Sequence, residues 1–463
     1  MIQLQLSEIA TAVGGELLGP DVLVSGSVET DSRLVTAGSL FVAKPGEVTD
    51  GHRFVESARE NGASGAVVEV QQESELSQIL VEDSVAALGR LATFVISKLH
   101  DAGRLKVIAI TGSNGKTSTK NMLRTILEKF GNTIAPIESY NNEVGAPISM
   151  LKANFDTDFL VAELGAGGRG SIKYLAEMCQ PDIAVELKVG LAHVGEFGGI
   201  ETTFEIKSEL VKALKPNAAV VLNADDAYVT KMADFTEAAK YWFGTVSDAE
   251  VRAENIALTL NGTIFDLMID GRSHGSVNLK ILGEHQVMNA LASLTVVKVL
   301  GLDIATAISA LEDLQLAERW RMQLLPGPNG SLVINDAYNA SPDSMRAALQ
   351  SLASLGRQGH RTIAVLGEMA ELGPESVAQH DEIGRLVVRL NIDQLFVVGQ
   401  AAKLIHLGAL QEGSWDGESK FVESIDEALD LVRDLLGSGD IVLVKSSKSA
   451  NLRFLGDALA EVQ

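Results

Sequence analysis

A glycine-containing segment directly after an apolar run constrains the fold more than any other part of the sequence. The run Val107–Ile110 is followed by Thr-Gly-Ser-Asn-Gly-Lys-Thr-Ser and then by a helix-compatible segment. Glycines let backbone N–H groups surround phosphate oxygens, and the N-terminus of the following helix adds a favourable dipole. Near its end the segment has a lysine, which can bind terminal phosphates, and a threonine, which can coordinate a Mg²⁺ ion. The segment therefore predicts an ATP-binding phosphate loop rather than an ordinary turn, and it consists of Thr111, Gly112, Ser113, Asn114, Gly115, Lys116, Thr117 and Ser118.

The composition excludes several classes of protein. A chain of 463 residues is too long for one core and suggests about three domains. Its 46% hydrophobic and 21% charged residues predict packed cores rather than disorder. A formal charge of −23 argues against a nucleic-acid partner. Cys179 is the only cysteine, and no apolar run approaches the roughly 18 residues of a membrane helix. We therefore expect a cytoplasmic protein that is not embedded in a membrane.

Strand and helix patterns divide the chain into three α/β domains, which we place at residues 1–102, 103–318 and 319–463. The first domain alternates short strands with helices and ends in a linker, Asp101–Arg104. Its predicted elements are strands at Val22–Val24 and Leu40–Val42 and helices at Arg53–Gly62 and Val85–Leu99.

The central domain has the pattern of a mostly parallel sheet. Apolar strands alternate with helices at a spacing that implies strand–helix–strand units with both faces of the sheet covered. Between residues 250 and 282, the turns Asn261–Gly262 and Asp270–Gly271 predict hairpins and therefore a small antiparallel patch. The predicted strands are Val107–Ile110, Phe159–Ala162, Ile183–Val189 and Ala218–Leu222, and the predicted helices include Thr117–Phe130 and Ile172–Met178.

A second alternating pattern predicts a Rossmann-like, doubly wound C-terminal domain. The turn Pro326–Gly330 is expected close to its boundary with the central domain. The predicted strands are Leu332–Ile334, Thr362–Leu366, Gln394–Val398 and Ile441–Val444.

Polar residues follow several of these strands, at the carboxyl ends where doubly wound sheets bind ligands. Glu163 ends the strand expected beside the phosphate loop, where a carboxylate could ligate Mg²⁺. His193 follows the strand Ile183–Val189 and is a candidate ligand. The alternative is that His193 has only a structural role. The remaining strand ends carry Asn335–Asp336, Glu368 and Lys445.

The glycines between Gly165 and Gly170 match the dinucleotide-binding pattern GxGxxG. We do not assign them to a dinucleotide, because the first strand–helix unit of this domain already carries a phosphate loop. In addition, no acidic residue ends a following strand at the expected distance of about 20 residues.

Together these motifs resemble those of the Mur ligases, the ATP-dependent amide-forming enzymes of peptidoglycan synthesis. The resemblance covers nearly the whole chain. It implies an N-terminal UDP-sugar-binding domain, a central ATP-binding domain and a C-terminal ligase domain that binds the incoming dipeptide. The motifs that carry it are Thr30–Arg33, Gly38–Phe41, Asp50–His52, Asn141–Pro147, Glu163–Ala166, Gly190–His193, Gly283–Asn289, Arg321–Met322, Asp336–Pro342 and Leu366–Gly373.

The resemblance also implies roles for individual residues. Lys116 and Thr117 hold the phosphates and one Mg²⁺, Glu163 is a further metal ligand, and His193 helps to bind a second Mg²⁺. Lys207 matches the lysine that is carbamylated in this family and completes the catalytic set. Further nucleotide contacts are implied for Asn142, His285, Asn289, Arg321 and Asp336, and substrate contacts for Asp31, Ser32, Arg33, Asn141, Asn142, Tyr338 and Asn339.

Some residues differ from what the pattern or the family favours. By sequence alone, Lys207 lies on a charged helical face and is typical of a solvated lysine. Lys188, Gln286 and Ser341 each stand where the family usually has asparagine, and Gly167–Gly170 replaces the usual ending of its motif. These departures affect details of the adenine and metal environment and remove no principal phosphate or metal ligand.

The reaction implied by the resemblance is ligation. ATP phosphorylates the terminal carboxylate of UDP-N-acetylmuramoyl-tripeptide, and the amine of D-alanyl-D-alanine attacks the acyl phosphate. We expect a monomer in which rotation of the C-terminal domain brings Arg321 and Asp336 onto ATP. Two alternatives stay open. One is a sister ligase, which adds the third peptide residue or extends folate with glutamate; the other is a P-loop phosphotransferase or ATPase without ligase activity.

Overall fold

The computed structural model describes residues 1–46, 49–136, 140–190, 197–314, 319–413 and 418–460. In this part of the chain the strands form four sheets, of two, five, nine and six strands. Helices cover the sheets, which gives the expected α/β fold. The domain limits that we placed after residues 102 and 318 stay a prediction, and residue 318 lies outside the described ranges.

The N-terminal unit is a small mixed sheet with three helices. Its elements are β1 Leu4–Gln5, α1 Leu6–Val13, β2 Glu16–Leu18, β3 Leu23–Val24, β4 Val28–Glu29, β5 Leu40–Val42, α2 Val55–Glu60, β6 Gly65–Val68, β7 Gln78–Leu80 and α3 Ser84–Asp101. The sheet order is β2-β7-β6-β5-β4, and β1 pairs with β3. The helix predicted at Arg53–Gly62 is shorter, because a 3₁₀ turn at Gly51–Phe54 precedes it.

The central unit is built on the nine-stranded sheet. Its strands are β8 Lys106–Thr111, β9 Thr133–Ile134, β10 Phe159–Glu163, β11 Ile183–Glu186, β12 Ala219–Asn223, β13 Ala239–Gly244, β14 Val251–Thr259, β15 Gly262–Ile269 and β16 Arg272–Leu279. Its helices are α4 Lys116–Leu127, α5 Gly145–Met150, α6 Ser171–Cys179, α7 Ile200–Lys212, α8 Ala227–Met232, α9 Glu284–Val299 and α10 Ile304–Glu312.

The order of this sheet is β16-β15-β14-β13-β12-β11-β8-β10-β9. All pairs from β14 to β9 are parallel, whereas β15 is antiparallel to both of its neighbours, β14 and β16. Both hairpin turns are confirmed at Asn261–Gly262 and Asp270–Gly271, and the antiparallel patch extends the parallel sheet instead of forming a separate one.

The C-terminal unit is a six-stranded sheet with helices on both faces. Its elements are β17 Gln323–Pro326, β18 Leu332–Asn335, α11 Pro342–Gly356, β19 Thr362–Leu366, α12 Ser376–Arg389, β20 Gln394–Val398, α13 Lys403–Glu412, β21 Ser419–Val422, α14 Ile425–Leu435, β22 Ile441–Lys445 and α15 Leu452–Leu459. The order is β17-β18-β22-β19-β20-β21, and only the β17–β18 pair is antiparallel.

The turn predicted at Pro326–Gly330 connects β17 to β18 in a hairpin, inside the predicted C-terminal domain. Two other predicted elements need correction. The strand predicted at Ile183–Val189 ends at Glu186. Beyond it the chain turns over the phosphate loop, where the Lys188 carbonyl accepts a hydrogen bond from the Ser113 N–H at 2.8 Å. The helix predicted at Thr117–Phe130 ends at Leu127.

Two cores lie on the opposite faces of the central sheet. Ala109 and Ala184 point into one core, and Ile110 and Val185 point into the other, as the alternation along a strand requires. The first core continues into the N-terminal unit through residues such as Val95 of α3. The N-terminal unit is therefore packed against the central sheet through apolar contacts.

None of the described helices combines the length and the apolar character that crossing a membrane requires.

Candidate active site

The phosphate loop has the predicted strand–loop–helix form. β8 ends at Thr111 and α4 begins at Lys116. Gly112 and Gly115 have φ values of 149° and 88°, which L-residues with side chains rarely adopt. The Lys116 Nζ lies over the loop and donates to the Gly112 carbonyl at 2.7 Å. Burial lowers the pKa of Lys116, and the nearby Glu163 carboxylate opposes that shift.

Glu163 lies beside this loop at the end of the neighbouring parallel strand. The side chain is 1% exposed. Its Oε1 accepts hydrogen bonds from Thr117 Oγ1 at 3.3 Å and from Asn141 Nδ2 at 2.9 Å. Its Oε2 is buried and has no hydrogen-bond partner among the residues that the structure describes. A hydroxyl and a buried carboxylate oxygen lacking a partner are the ligand types that Mg²⁺ prefers, so these residues fit a Mg²⁺ ion.

Lys207 is buried, which contradicts the solvated position that its charged helical face suggests. It is 2% exposed on α7, and its Nζ donates to Thr111 Oγ1 at 3.3 Å. Burial and the positive charge of Lys116 lower the pKa of Lys207 to about 7. A neutral amine, the form that reacts with CO₂, is therefore accessible at this position.

Glu186 is a charged residue of the site region that the sequence analysis missed. It is the last residue of β11, it pairs in register with Thr111, and it is 0% exposed. Within the described ranges neither of its carboxyl oxygens has a hydrogen-bond partner, and burial raises the pKa of Glu186 well above the ordinary value. The sequence indicates Glu186 only as a glutamate in an otherwise apolar strand. Because the strand is predicted to continue to Val189, Glu186 is not recognised as its last residue.

The C-terminal unit supplies a second wall. Arg321 Nη2 donates to Thr117 Oγ1 at 3.5 Å, and the guanidinium lies 4.2 Å from the centre of the Tyr338 ring. Asp336 forms an ion pair of 2.6 Å with Lys445, which is 2% exposed at the end of β22. The sequence indicates Lys445 as a strand-end residue but suggests no role for it.

The side chains at the start of α9 close the cavity on the central side. Asn289 Nδ2 donates to Gln286 Oε1 at 3.0 Å, and Gln286 Nε2 lies 3.3 Å from His285 Nε2. Burial lowers the pKa of His285 to about 4. Gln286, one of the departures from the family pattern, is thus integrated into this hydrogen-bonded group.

These walls enclose one cavity of about 540 Å³ between the central and C-terminal sheets. The predicted site residues that line it are Ser113, Asn114, Gly115, Lys116, Thr117, Ser118, Asn141, Glu163, His285, Asn289, Arg321, Asp336, Tyr338 and Asn339. Arg321 and Asp336 therefore already face the phosphate loop in this structure.

Other predicted site residues do not line the cavity. Asn142 caps the turn before α5, because its Oδ1 accepts from the Gly145 N–H at 2.8 Å. Asp31, Ser32 and Arg33 lie in the N-terminal unit, where the Arg33 side chain helps lower the pKa of Asp31 to about 2. His193 lies outside the described residues. The described part of the chain holds no cluster of three or more His, Cys, Asp or Glu side chains suited to a metal.

The GxGxxG segment has no open helix N-terminus for a pyrophosphate. The Glu209 carboxylate accepts hydrogen bonds from the backbone N–H groups of Gly170 at 2.6 Å and Lys173 at 3.0 Å. A carboxylate thus occupies the position where a phosphate would bind.

A buried histidine, His380, forms a hydrogen bond with the backbone of the motif Leu366–Gly373. His380 Nε2 accepts from the Met369 N–H at 3.0 Å, while Nδ1 lies 2.7 Å from the Ser376 carbonyl. This pattern requires a neutral ring with its proton on Nδ1. Burial lowers the pKa of His380, and the Ser376 carbonyl and Glu368 oppose that shift.

Comparison with known proteins decides the family. The Mur ligase family catalytic domain matches residues 26–98, the Mur ligase middle domain matches 110–297, and the Mur ligase glutamate ligase domain matches 320–448. This chain belongs to the Mur ligase family. A UDP-N-acetylmuramoyl-tripeptide–D-alanyl-D-alanine ligase of Mycobacterium tuberculosis is 39% identical over 510 residues, which cover 99% of this chain and 98% of the relative.

Solved structures agree with this membership. MurF from Acinetobacter baumannii is 31% identical, covers 99% of both chains and superposes with a TM-score of 0.89. The MurF ligase from Thermotoga maritima in complex with ADP is 27% identical, covers 95% of this chain and 98% of its own, and has a TM-score of 0.84. The family resemblance and the three-part α/β fold are thereby confirmed.

The neutral state of His380 makes this Mur ligase sensitive to acid. Below the ordinary histidine pKa of about 6.5, the unfolded chain binds a proton that the folded chain does not, so stability falls as pH falls. Between about pH 7.5 and about pH 5.5, the thermal midpoint of the wild type should therefore drop more than that of His380→Gln, which cannot take up the proton. His274→Gln, at an exposed histidine, is the control and should follow the wild type. Equal pH dependence in all three proteins would contradict the assignment.

Proposed function

We propose that this chain is an ATP-dependent ligase that joins D-alanyl-D-alanine to UDP-N-acetylmuramoyl-tripeptide. The observation that carries the proposal is the single cavity in which the phosphate loop faces Arg321, Asp336 and Tyr338 of the C-terminal unit. Such a cavity suits a reaction that must bring a nucleotide and a second reactant together. Relatives that bear this ligase name match the chain over nearly their full length, which supports the same substrates here.

The first step of the proposed reaction is transfer of the γ-phosphoryl group to the terminal carboxylate of the tripeptide. The backbone N–H groups of the phosphate loop and the α4 N-terminus hold the nucleotide phosphates, and Lys116 approaches the transferred group. Arg321 reaches the same phosphates from the opposite wall, as its contact with Thr117 suggests. The carboxylate oxygen forms the new P–O bond and ADP leaves, which converts a poor leaving group into a good one.

The second step is amide formation. The amine of D-alanyl-D-alanine attacks the acyl carbon, and the tetrahedral intermediate collapses with loss of phosphate. Tyr338 and Asn339 line the C-terminal side of the cavity and are proposed to orient the dipeptide. Asn141 is proposed to contact the tripeptide, and Asp31, Ser32 and Arg33 the UDP portion. Holding the amine and the acyl group in one cavity supplies the positioning that such a reaction needs.

Two Mg²⁺ ions are proposed to assist the first step. Thr117 Oγ1 and Glu163 would hold one ion, and Glu163, His193 and a carbamate on Lys207 would hold the other. Bound Mg²⁺ offsets the repulsion between the carboxylate and the phosphate oxygens. The unpartnered Glu163 Oε2 and the pKa of Lys207 near 7 support these assignments.

We further propose that the enzyme is a monomer. It is also proposed to act in the cytoplasm, where ATP is available.

A comparison of acceptors tests the proposed function. Phosphate release should require ATP, UDP-N-acetylmuramoyl-tripeptide and an acceptor together, and D-alanyl-D-alanine should support it at least about 100-fold better than meso-diaminopimelate, lysine or glutamate. A preference for a single amino acid would indicate a sister ligase. Phosphate release with ATP alone would indicate an ATPase or phosphotransferase and would contradict the proposal.

Replacement of Glu163 tests the metal site. Glu163→Gln keeps the size and the contact with Asn141 but removes the charge, so ligase turnover should fall at least about 100-fold. The thermal midpoint should stay unchanged or rise, because a buried carboxylate with one unpartnered oxygen is lost. Glu237→Gln, at an exposed carboxylate just before β13 and outside all the motifs, is the matched control. Wild-type turnover in Glu163→Gln would exclude Glu163 as a metal ligand.

A further inference from the structure

The segment that carries Arg321 has an unusual backbone. Trp320 and Met322, on either side of Arg321, have φ values of 65° and 49°. Both are in the left-handed region, which costs a large L-residue conformational energy and persists only where surrounding contacts enforce it. Arg321 is therefore presented by a strained segment that depends on its anchors.

Several contacts that hold this segment in place are made by one carboxylate, that of Asp457 in the last described helix. Asp457, on α15, is 7% exposed. Its Oδ2 accepts from Arg319 Nη2 and from Trp320 Nε1, both at 2.9 Å. Its Oδ1 accepts from Asn335 Nδ2 at 3.1 Å, which ties the same carboxylate to the end of β18. Asp457 thus links the strained segment to the C-terminal sheet.

The aromatic contacts around Trp320 reinforce this link. The Trp320 ring lies 6.3 Å from the Phe454 ring in an edge-to-face arrangement. The Arg453 guanidinium lies 5.5 Å from the Trp320 ring and 4.4 Å from the Phe454 ring. Arg453, Phe454 and Asp457 are all on α15, so this helix contacts one side of Trp320.

On the other side of Arg321 the segment is tied to the cavity wall. The Met322 N–H donates to Asp336 Oδ1 at 2.9 Å, and the Tyr338 N–H donates to the Trp320 carbonyl at 3.1 Å. From this fixed backbone the Arg321 side chain extends over Tyr338 towards Thr117.

We propose that Asp457 is a positioning residue for nucleotide binding, which acts through Arg319 and Trp320 to hold Arg321 over the phosphate loop. Asp457 does not line the cavity, and it lies beyond residue 448, where the family match ends. The inference rests on the proposed function, because it takes Arg321 as a contact of the nucleotide phosphates.

A double-mutant cycle in the full-length protein tests this role. Affinity for a non-hydrolysable ATP analogue with Mg²⁺ is measured by calorimetry for the wild type, Asp457→Asn, Arg321→Ala and the double variant. Asp457→Asn should weaken binding roughly tenfold, as expected for loss of a charge-assisted anchor. It should have no further effect in the Arg321→Ala background, because the two residues act as one unit.

Asp440→Asn is the matched control. Asp440 is also 7% exposed, and it accepts from the Gly437 N–H at 2.8 Å, far along the chain from Arg321. A general loss of C-terminal stability would weaken nucleotide binding in this variant too, whereas a positioning role would leave its affinity unchanged. Thermal midpoints of all variants establish that each is folded at the temperature of the measurement.

The outcomes are distinguishable. Additive effects of the two substitutions, an unchanged affinity in Asp457→Asn, or an equal loss in Asp440→Asn would each overturn the inference. If Arg321→Ala binds the analogue as tightly as the wild type, the proposed role of Arg321 is wrong and the inference falls with it. Because no ligase substrate is present, the result does not depend on which acceptor the enzyme uses.

Discussion

Charge balance at the carboxyl ends of the central strands is the constraint on which the site depends. Lys116, Glu163, Glu186 and Lys207 bring two amines and two carboxyl groups close to the phosphate loop, where burial shifts the pKa values of Lys116, Glu186 and Lys207 towards their neutral forms. A protein interior tolerates such groups only when their charges compensate. Compensation is incomplete, because among the described residues one oxygen of Glu163 and both oxygens of Glu186 have no hydrogen-bond partner. Unpartnered carboxyl oxygens therefore lie close to the phosphate loop, where a cation and nucleotide phosphates would bind.

The site also requires that the nine-stranded and the six-stranded sheets face each other. The phosphate loop lies at the carboxyl end of β8, an interior strand of the nine-stranded sheet, whereas Asp336 and Lys445 lie at the carboxyl ends of strands in the six-stranded sheet. Arg321 crosses the cavity and contacts Thr117, so a residue of the C-terminal unit reaches the phosphate loop. Neither sheet alone supplies both a phosphate-binding loop and the opposite wall. Productive geometry, as in other enzymes with closing domains, requires both.

Local patterns were the part of the structure that sequence could predict. The phosphate loop is specified by glycines at left-handed positions and by a strand before it, and the hairpins are specified by Asn-Gly and Asp-Gly turns, so each needs only neighbouring residues. The burial of Lys207 could not be predicted, because it depends on how α7 packs against β8 and β11. The resemblance to a family supplied a role for that lysine, but no periodicity indicated it. The ion pair of Asp336 with Lys445 joins residues 109 positions apart, and spacing carries no information about it.

The central claim is that the enzyme activates a carboxylate by phosphorylating it in the cavity between these sheets. Transfer of a heavy-oxygen label tests this most directly. The tripeptide substrate is prepared with ¹⁸O in its terminal carboxylate, and phosphate released during ligation is analysed by mass spectrometry. An acyl phosphate predicts that the released phosphate carries a labelled oxygen from the carboxylate, because the P–O bond formed in the first step stays with phosphorus when the amide forms. Released phosphate without label, at a normal rate of amide formation, would contradict the account.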